Sequence, residues 1–161
     1  PYGLGSRDLS AVFGTIFRHG VDYADLYFQY SRSEAWSLEE GIVKSGSFSI
    51  DEGVGVRACA GEKTAFAYSD DISATALDDA AKAVRAIASA GQSRLVPVLL
   101  RRGGHALYRG DDPLASLPAA AKVKLLERLE AFARALDPRV QQVMAHLAGE
   151  YEVILVAGSD G

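Results

Sequence analysis

The sequence has little of what ties a protein to a membrane, to nucleic acid or to an oxidising compartment. Cys59 is the only cysteine among 161 residues, so no internal disulfide can form, which favours a reducing compartment. No apolar run reaches the roughly 18 residues of a membrane helix, and the first residues lack the order of a signal peptide. A formal net charge of -4 gives no broad attraction to phosphates or anionic lipids. We therefore expect a cytoplasmic protein whose direct partners include neither nucleic acid nor membrane.

Recognisable catalytic and metal-binding motifs are also absent. The three histidines, His19, His105 and His146, contain no pair at the i, i+4 spacing that places two zinc ligands on one helix face. The segment 53–56, Gly-Val-Gly-Val, lacks the third glycine and the following helix of a dinucleotide-binding loop. Several acidic residues stand as adjacent pairs, but neighbours in a strand point to opposite faces and no pair has the spacing of a calcium loop. We assign no catalytic and no metal-binding residue, and an enzyme acting on small molecules is the weakest functional hypothesis.

What the sequence does have is the hydrophobic patterning of a folded protein. Hydrophobic residues make up 48% and charged residues 24%, as in an average globular domain. Helical periodicity predicts helices near 9–17, 73–88 and 116–136, with Asp8, Ser73 and Ser116 as N-caps. Period-two alternation predicts strands over 23–30, 34–40, 45–50, 54–60, 64–68, 140–148 and 151–157. The order favours an α+β fold, a largely antiparallel sheet with helices packed on one face.

Two segments carry more specific expectations. The third helix has the most regular apolar pattern, and its predicted buried stripe consists of Leu125, Leu126, Leu129, Phe132 and Leu136. Residues 91–117 contain several glycines and prolines and are too long for an ordinary connection, so they are predicted to form an irregular excursion. With no internal repeat, we expect a single domain over 1–161 in which two strands meet at a tight turn at Gly149-Glu150.

Several blocks of the sequence resemble one known family. They are Tyr23-Ala24-Asp25-Leu26-Tyr27-Phe28-Gln29, Asp51-Glu52-Gly53-Val54-Gly55-Val56-Arg57-Ala58, Gly61-Glu62-Lys63-Thr64-Ala65-Phe66-Ala67-Tyr68 and Tyr151-Glu152-Val153-Ile154-Leu155-Val156-Ala157. Together they are similar to the N-terminal region of the TldD branch of the TldD/PmbA family, also called modulators of DNA gyrase. The resemblance covers nearly the whole chain, with 91–102 the least familiar part.

The resemblance implies a cytoplasmic zinc metallopeptidase built from two related subunits, a TldD-like one and a PmbA/TldE-like one, acting on unfolded or extended peptides. The family's zinc ligands come from a His-Glu-x-x-x-His motif and a later cysteine, and the sequence ends at Gly161 before either. We therefore expect this chain to be the non-catalytic N-terminal domain of a longer protein, with zinc bound in the missing part. Its expected role is subunit assembly and walling the chamber that admits the substrate.

The sequence also suggests candidate substrate contacts and one alternative function. The strands at 54–60 and 64–68 are predicted to form a hairpin. If polar residues contact substrate, Arg57, Glu62 and Lys63 around this hairpin are the first candidates, although each residue type is also common in turns and on sheet surfaces. The alternative function is a stand-alone module that binds a protein partner, such as gyrase or a toxin–antitoxin component, through a sheet edge or groove, without enzymatic activity.

Overall fold

The protein is an α+β structure built on one antiparallel sheet, which confirms the predicted fold class. The structure, a computed structural model, describes residues 3–18, 20–86 and 110–160. In chain order its elements are α1 (Ser6–Ile16), β1 (Tyr23–Glu39), β2 (Ile42–Ala60), β3 (Lys63–Ser69), α2 (Ala74–Arg85), a short 3-10 helix (Pro113–Ser116), α3 (Ala119–Leu136) and β4 (Met144–Gly158). The strand order in the sheet is β3-β2-β1-β4.

Residue contacts divide the chain into two compact units. The first contains Pro1–Tyr30, Asp51–His105 and Val153–Gly161, and the second contains Ser31–Ile50 and Ala106–Glu152. The long strands β1, β2 and β4 contribute residues to both units. The single domain over 1–161 stays a prediction.

The first unit holds the main hydrophobic core. In the parts of β1 and β2 that belong to this unit, the core side of the sheet is buried, including Leu26, Val56 and Ala58, each with no exposed surface. Helices α1 and α2 contact each other and cover this face, with Phe13 and Leu77 completely buried. The strand residues between the core ones point to the opposite, open face of the sheet, where Asp25 and Gly55 are nevertheless buried.

At the start of both helices of the first unit, a side-chain oxygen accepts a hydrogen bond from a backbone N–H. The hydroxyl of Ser73 accepts a hydrogen bond from the N–H of Ala76 at 3.2 Å, which confirms Ser73 as the N-cap of α2. For α1 the prediction was wrong by one turn, because the cap is Gly5 and Asp8 lies at the third helical position. The Asp8 carboxylate accepts from the N–H of Gly5 at 2.7 Å, so it closes the helix start from inside the first turn.

Three interruptions predicted between strands do not exist. The strands predicted at 23–30 and 34–40 are one strand, β1, and those at 45–50 and 54–60 are one strand, β2. The predicted turn at Gly149-Glu150 lies within β4. No glycine or proline interrupts 31–33, and Gly149 serves close packing, since a Cβ there would lie 2.6 Å from a methyl group of Leu114.

The second unit corrects the prediction for α3. Leu126 is fully buried, but Leu129, Phe132 and Leu136 are 49%, 66% and 70% exposed, and Leu125 is only partly buried. The buried face of α3 is completed by two charged residues, Lys122 and Glu130. Helix α3 also begins after Pro118 instead of Ser116, which ends the 3-10 helix.

Both buried charges of α3 bind the backbone. The ammonium group of Lys122 donates to the carbonyl of Leu114 at 2.6 Å and pairs with the carboxylate of Glu34. The carboxylate of Glu130 accepts from the N–H of Gly41 at 2.6 Å and pairs with Arg134. Because each charge has partners, its burial is tolerated where a row of leucines was expected.

The predicted excursion over 91–117 is only partly within the described residues. Its last part contains the 3-10 helix, at whose start the Asp112 carboxylate accepts a hydrogen bond from the N–H of Leu114 at 2.9 Å. Residues 91–109 lie outside the described ranges. None of the helices in the described part of the chain is both long and apolar enough to span a membrane.

Candidate functional site

The β2-β3 hairpin, which carries the predicted substrate contacts, is held at its turn by an aspartate from the preceding loop. Gly61 has φ 58°, in the left-handed region that glycine adopts without strain. Its N–H donates to the Asp22 carboxylate at 2.6 Å, and the N–H of Asp22 donates to the carbonyl of Cys59 at 2.8 Å. The turn is therefore fixed to the start of β1 as well as by its own ladder.

Arg57 lies on the open face of the first unit and is paired with Asp25 of β1. Its Nε donates to the Asp25 carboxylate at 2.9 Å, and its terminal nitrogen contacts the same oxygen. The Arg57 side chain is 49% exposed, whereas that of Asp25 is 12% exposed. The hydrogen bonds to Asp25 raise the pKa of Arg57 further above its ordinary value, so the guanidinium remains charged.

A tyrosine completes this cluster. The pKa of Tyr23 is raised above 10.0, first by burial and then by the negative charges of Asp25 and Asp160, while Arg57 opposes the shift. The phenol therefore stays protonated and can donate to the Asp25 carboxylate. Tyr23, Asp25 and Arg57 form a connected polar cluster on a sheet face otherwise rich in aromatic rings.

The structure does not bring the three predicted substrate contacts together. In the β2-β3 ladder Arg57 pairs with Phe66, and Lys63 pairs with Ala60. Ala60 lies three residues after Arg57 along β2. Three positions correspond to about 10 Å along a strand and reverse the side of the sheet. Arg57 therefore lies on the open face, Lys63 has the orientation of the core face at the hairpin end, and Glu62 is in the exposed turn. Their role as substrate contacts stays a prediction.

The described residues do not form a zinc site. Among them there is no group of three or more histidine, cysteine, aspartate or glutamate side chains placed to hold a metal ion. His146 is exposed on β4, and Cys59 is partly buried with its sulfur 3.7 Å from the Thr64 hydroxyl. His19 and His105 lie outside the described ranges.

The acidic pairs serve local structure. Asp71 accepts from the Ser73 hydroxyl at 2.8 Å ahead of α2, and Asp78 pairs with Lys82 one helical turn later at 2.6 Å. The hydrogen bond from Lys82 lowers the pKa of Asp78 below its ordinary value. Asp79 is 3.4 Å from the same ammonium group and is largely exposed. These carboxylates lie at a helix start and on the surface.

Asp22 and Asp25 are the residues that the reading of the sequence missed. Asp25 lies in the block Tyr23–Gln29 that resembles the family, and Asp22 directly precedes that block. No spacing rule predicts that either residue contacts the hairpin. A signal was nevertheless present, since Asp25 and Arg57 are opposite charges at outward positions of two predicted strands. Oppositely charged cross-strand neighbours are favourable, but the pairing is visible only when β1 and β2 are placed side by side in register.

Two family models match the chain. "PmbA/TldA metallopeptidase domain 1" matches residues 24–88, and "PmbA/TldA metallopeptidase central domain" matches residues 112–161. A Haemophilus influenzae protein described as a metalloprotease TldD homolog is 44% identical over 163 aligned residues, covering 100% of this chain and 34% of that protein. A homolog of the same description from Buchnera aphidicola of Schizaphis graminum is 37% identical, covering 98% of this chain and 33% of that protein. The chain thus spans about a third of the length of these curated relatives.

Solved structures share the fold. A crystal structure of a protein described as a modulator of DNA gyrase from Bacteroides thetaiotaomicron superposes with a TM-score of 0.66 at 13% identity, covering 96% of this chain and 36% of that one. The crystal structure of TldE from Thermococcus kodakarensis gives a TM-score of 0.60 at 17% identity, covering 94% and 35%. The fold, both family models and the identity to TldD homologues agree, and the chain belongs to the TldD/PmbA family.

Proposed function

We propose that this chain is the non-catalytic N-terminal part of a TldD-like zinc metallopeptidase that cleaves unfolded or extended peptides. The main support is sequence identity: the chain is 44% identical along its whole length to a protein described as a metalloprotease, and it covers 34% of that protein. The described residues offer no set of metal ligands, so they do not fit the zinc ion that the family implies. In the proposed protein the zinc is held by residues beyond this sequence, in a cytoplasmic enzyme.

The exposed side of α3 supports a role in subunit assembly. Leu129, Phe132 and Leu136 repeat at spacings of three and four residues on that side and are each about half exposed or more. Large apolar residues in a row on a surface are typical of interaction sites. We assign this side of α3 to contacts with the rest of the assembly, which includes a PmbA/TldE-like subunit. The similarity to a TldE structure supports a partner of related fold.

The hairpin supplies the proposed substrate contacts. Glu62 and Lys63 are exposed at its turn, and Arg57 presents a half-exposed guanidinium on the open face. These residues lie on both faces of the hairpin and at its turn. Such a distribution fits a surface along which an extended peptide passes better than it fits one closed pocket. A test in the native protein compares Lys63→Ala and Glu62→Ala with Lys124→Ala, an exposed lysine of α3. The hairpin variants should raise KM for a casein-derived peptide with kcat unchanged, and the control should change neither.

The main experiment isolates the native polypeptide from its source cells with an antibody to this chain. Its intact mass, its zinc content and its cleavage of unfolded casein are then measured on one preparation. The proposal expects a mass well above 17.1 kDa, close to one zinc ion per polypeptide of this kind, and cleavage of unfolded but not folded substrate. A metal-free polypeptide of about 17.1 kDa without proteolysis would overturn it. That outcome would support the stand-alone binding module instead.

A further inference from the structure

The outer edge of β3 borders a groove that α2 covers from one side. Within the described residues no strand pairs with this edge, because β3 is the last strand in the order β3-β2-β1-β4. The groove has a volume of about 460 Å³ and is open to solvent on its outer side. It is lined by Ala67, Tyr68 and Ser69 of β3, by Asp71, and by Thr75, Ala76, Asp79, Ala80 and Ala83 of α2.

Helix α2 packs against β3 and lines one side of the groove. Its core face is formed by Leu77, Ala80, Ala81 and Val84. A neighbouring stripe, Ala76, Ala80 and Ala83, repeats at the same helical spacing and lines the groove, with Ala80 belonging to both. No side chain of this neighbouring stripe is longer than a methyl group. The helix therefore leaves space beside β3 where one further strand would find an apolar surface.

The edge of β3 lacks the features that usually prevent strand addition. Protected edges carry proline, inward-pointing charges or bulges. From Thr64 to Ser69 there is no proline and no charged residue, and the ladder with β2 is regular over all seven positions. Lys63 is the only charge on the strand, and it lies at the hairpin end, away from the groove.

The charge around the groove selects the occupant. Asp71 and Asp79 line it and Asp70 is exposed beside it, while the nearest lysine, Lys82, is already shared by Asp78 and Asp79. We propose that the β3-α2 groove binds an extended polypeptide segment bearing lysine or arginine, which adds to β3 as a strand. Its backbone pairs with β3, and its basic side chains point to the side of α2, where their stems pass the alanines and their charges meet the aspartates. Its small side chains point to the opposite side of the sheet. This inference does not rest on the proposed metallopeptidase.

The test uses the full 161-residue chain and fluorescein-labelled ten-residue peptides of alternating threonine and lysine, blocked at both ends. Binding is measured by fluorescence anisotropy. A threonine-glutamate peptide tests the charge. Two N-methylated versions, one methylated at odd and one at even positions, test strand addition, because only one edge of the peptide faces β3. We expect binding of the lysine peptide, its loss in one methylated version only, and no binding of the glutamate peptide.

Protein variants locate the site. Ala83→Trp fills the groove from an exposed position of α2 and should abolish binding, and Asp71→Asn with Asp79→Asn should weaken it by about tenfold. Glu127→Gln, an exposed carboxylate of α3, is the matched control and should leave affinity unchanged. Circular dichroism confirms that each variant is folded. Equal binding of the lysine and glutamate peptides, retention by both methylated versions, or unchanged binding to Ala83→Trp would each overturn the proposal.

Discussion

The corrected packing of α3 gives the sharpest test of the structure. Leu126 and Leu129 are one helical turn apart and chemically identical, but Leu126 is fully buried and Leu129 is 49% exposed. A leucine-to-alanine change removes three carbons, worth about 0.8 kcal/mol each when buried, or about 2.4 kcal/mol before any cavity is counted. We expect Leu126→Ala to lower the free energy of unfolding by about 3 kcal/mol, within the usual range for buried leucines. Leu129→Ala should cost about 1 kcal/mol, in proportion to its burial.

The two variants are compared by urea unfolding. Trp36 is the single tryptophan of the chain and belongs to the same unit as α3, so its fluorescence reports the affected region directly. Alanine is the best helix former, and both positions are inside the helix, so the change in helix propensity is equal and small. The difference between the variants therefore measures burial.

Equal losses for Leu126→Ala and Leu129→Ala would refute the assignment of faces. Such a result would mean that Leu129 is buried in solution to the same extent as Leu126, as the apolar periodicity alone predicts. Repeating the measurement at several protein concentrations separates burial within the chain from burial by self-association, since only the latter depends on concentration.

Three further predictions test other contacts of the structure. A Cβ at Gly53 would lie 2.9 Å from the backbone oxygen of Ser69, which cannot move easily, so Gly53→Ala should lower the free energy of unfolding by about 1–3 kcal/mol. A Cβ at Gly55 would meet the exposed ring of Phe66, which can rotate away, so Gly55→Ala should lower it by clearly less. Lys122→Met should cost about 3–5 kcal/mol in urea unfolding, because it leaves a buried carboxylate without its partner, and a loss below that of an exposed lysine variant would contradict the pairing. The pKa of Tyr23 is raised above 10.0, so the unfolded chain loses this proton first as the pH rises. The resulting stability is present below pH 10.0 and is lost as the pH passes through the folded-state pKa, and Tyr23→Phe should flatten this decline in urea midpoints.

The first unit could be predicted well because its signals are local. The alternation Val54, Val56, Ala58 and the glycine turn at Gly61 define a hairpin whose strands, faces and turn follow from neighbouring residues. Ser73 likewise identifies the start of α2 through a bond to a residue three positions away. Family membership was predicted from the same blocks of sequence, and the family models confirm it.

The strand lengths could not be predicted because a strand ends only where its hydrogen-bonding partner ends. Gly149 reads as a turn residue, but in β4 it provides room for Leu114, which is distant in sequence. The Asp25–Arg57 pair was missed for a related reason, since it depends on the register between β1 and β2. Both features depend on contacts between distant residues, which a single sequence does not specify.

Helix α3 illustrates a limit of hydrophobic periodicity, because the pattern identifies an apolar face without identifying what covers it. Its inner face uses Lys122 and Glu130, whose charges hold the backbone of Leu114 and Gly41, on either side of Leu126. These two bonds fix the helix to its unit with a single fully buried leucine. The regular apolar row is thereby left largely on the outside, where it contributes less to the stability of the unit than Leu126 does. Such a row is the arrangement expected if this side of α3 makes the proposed contacts with the rest of the assembly.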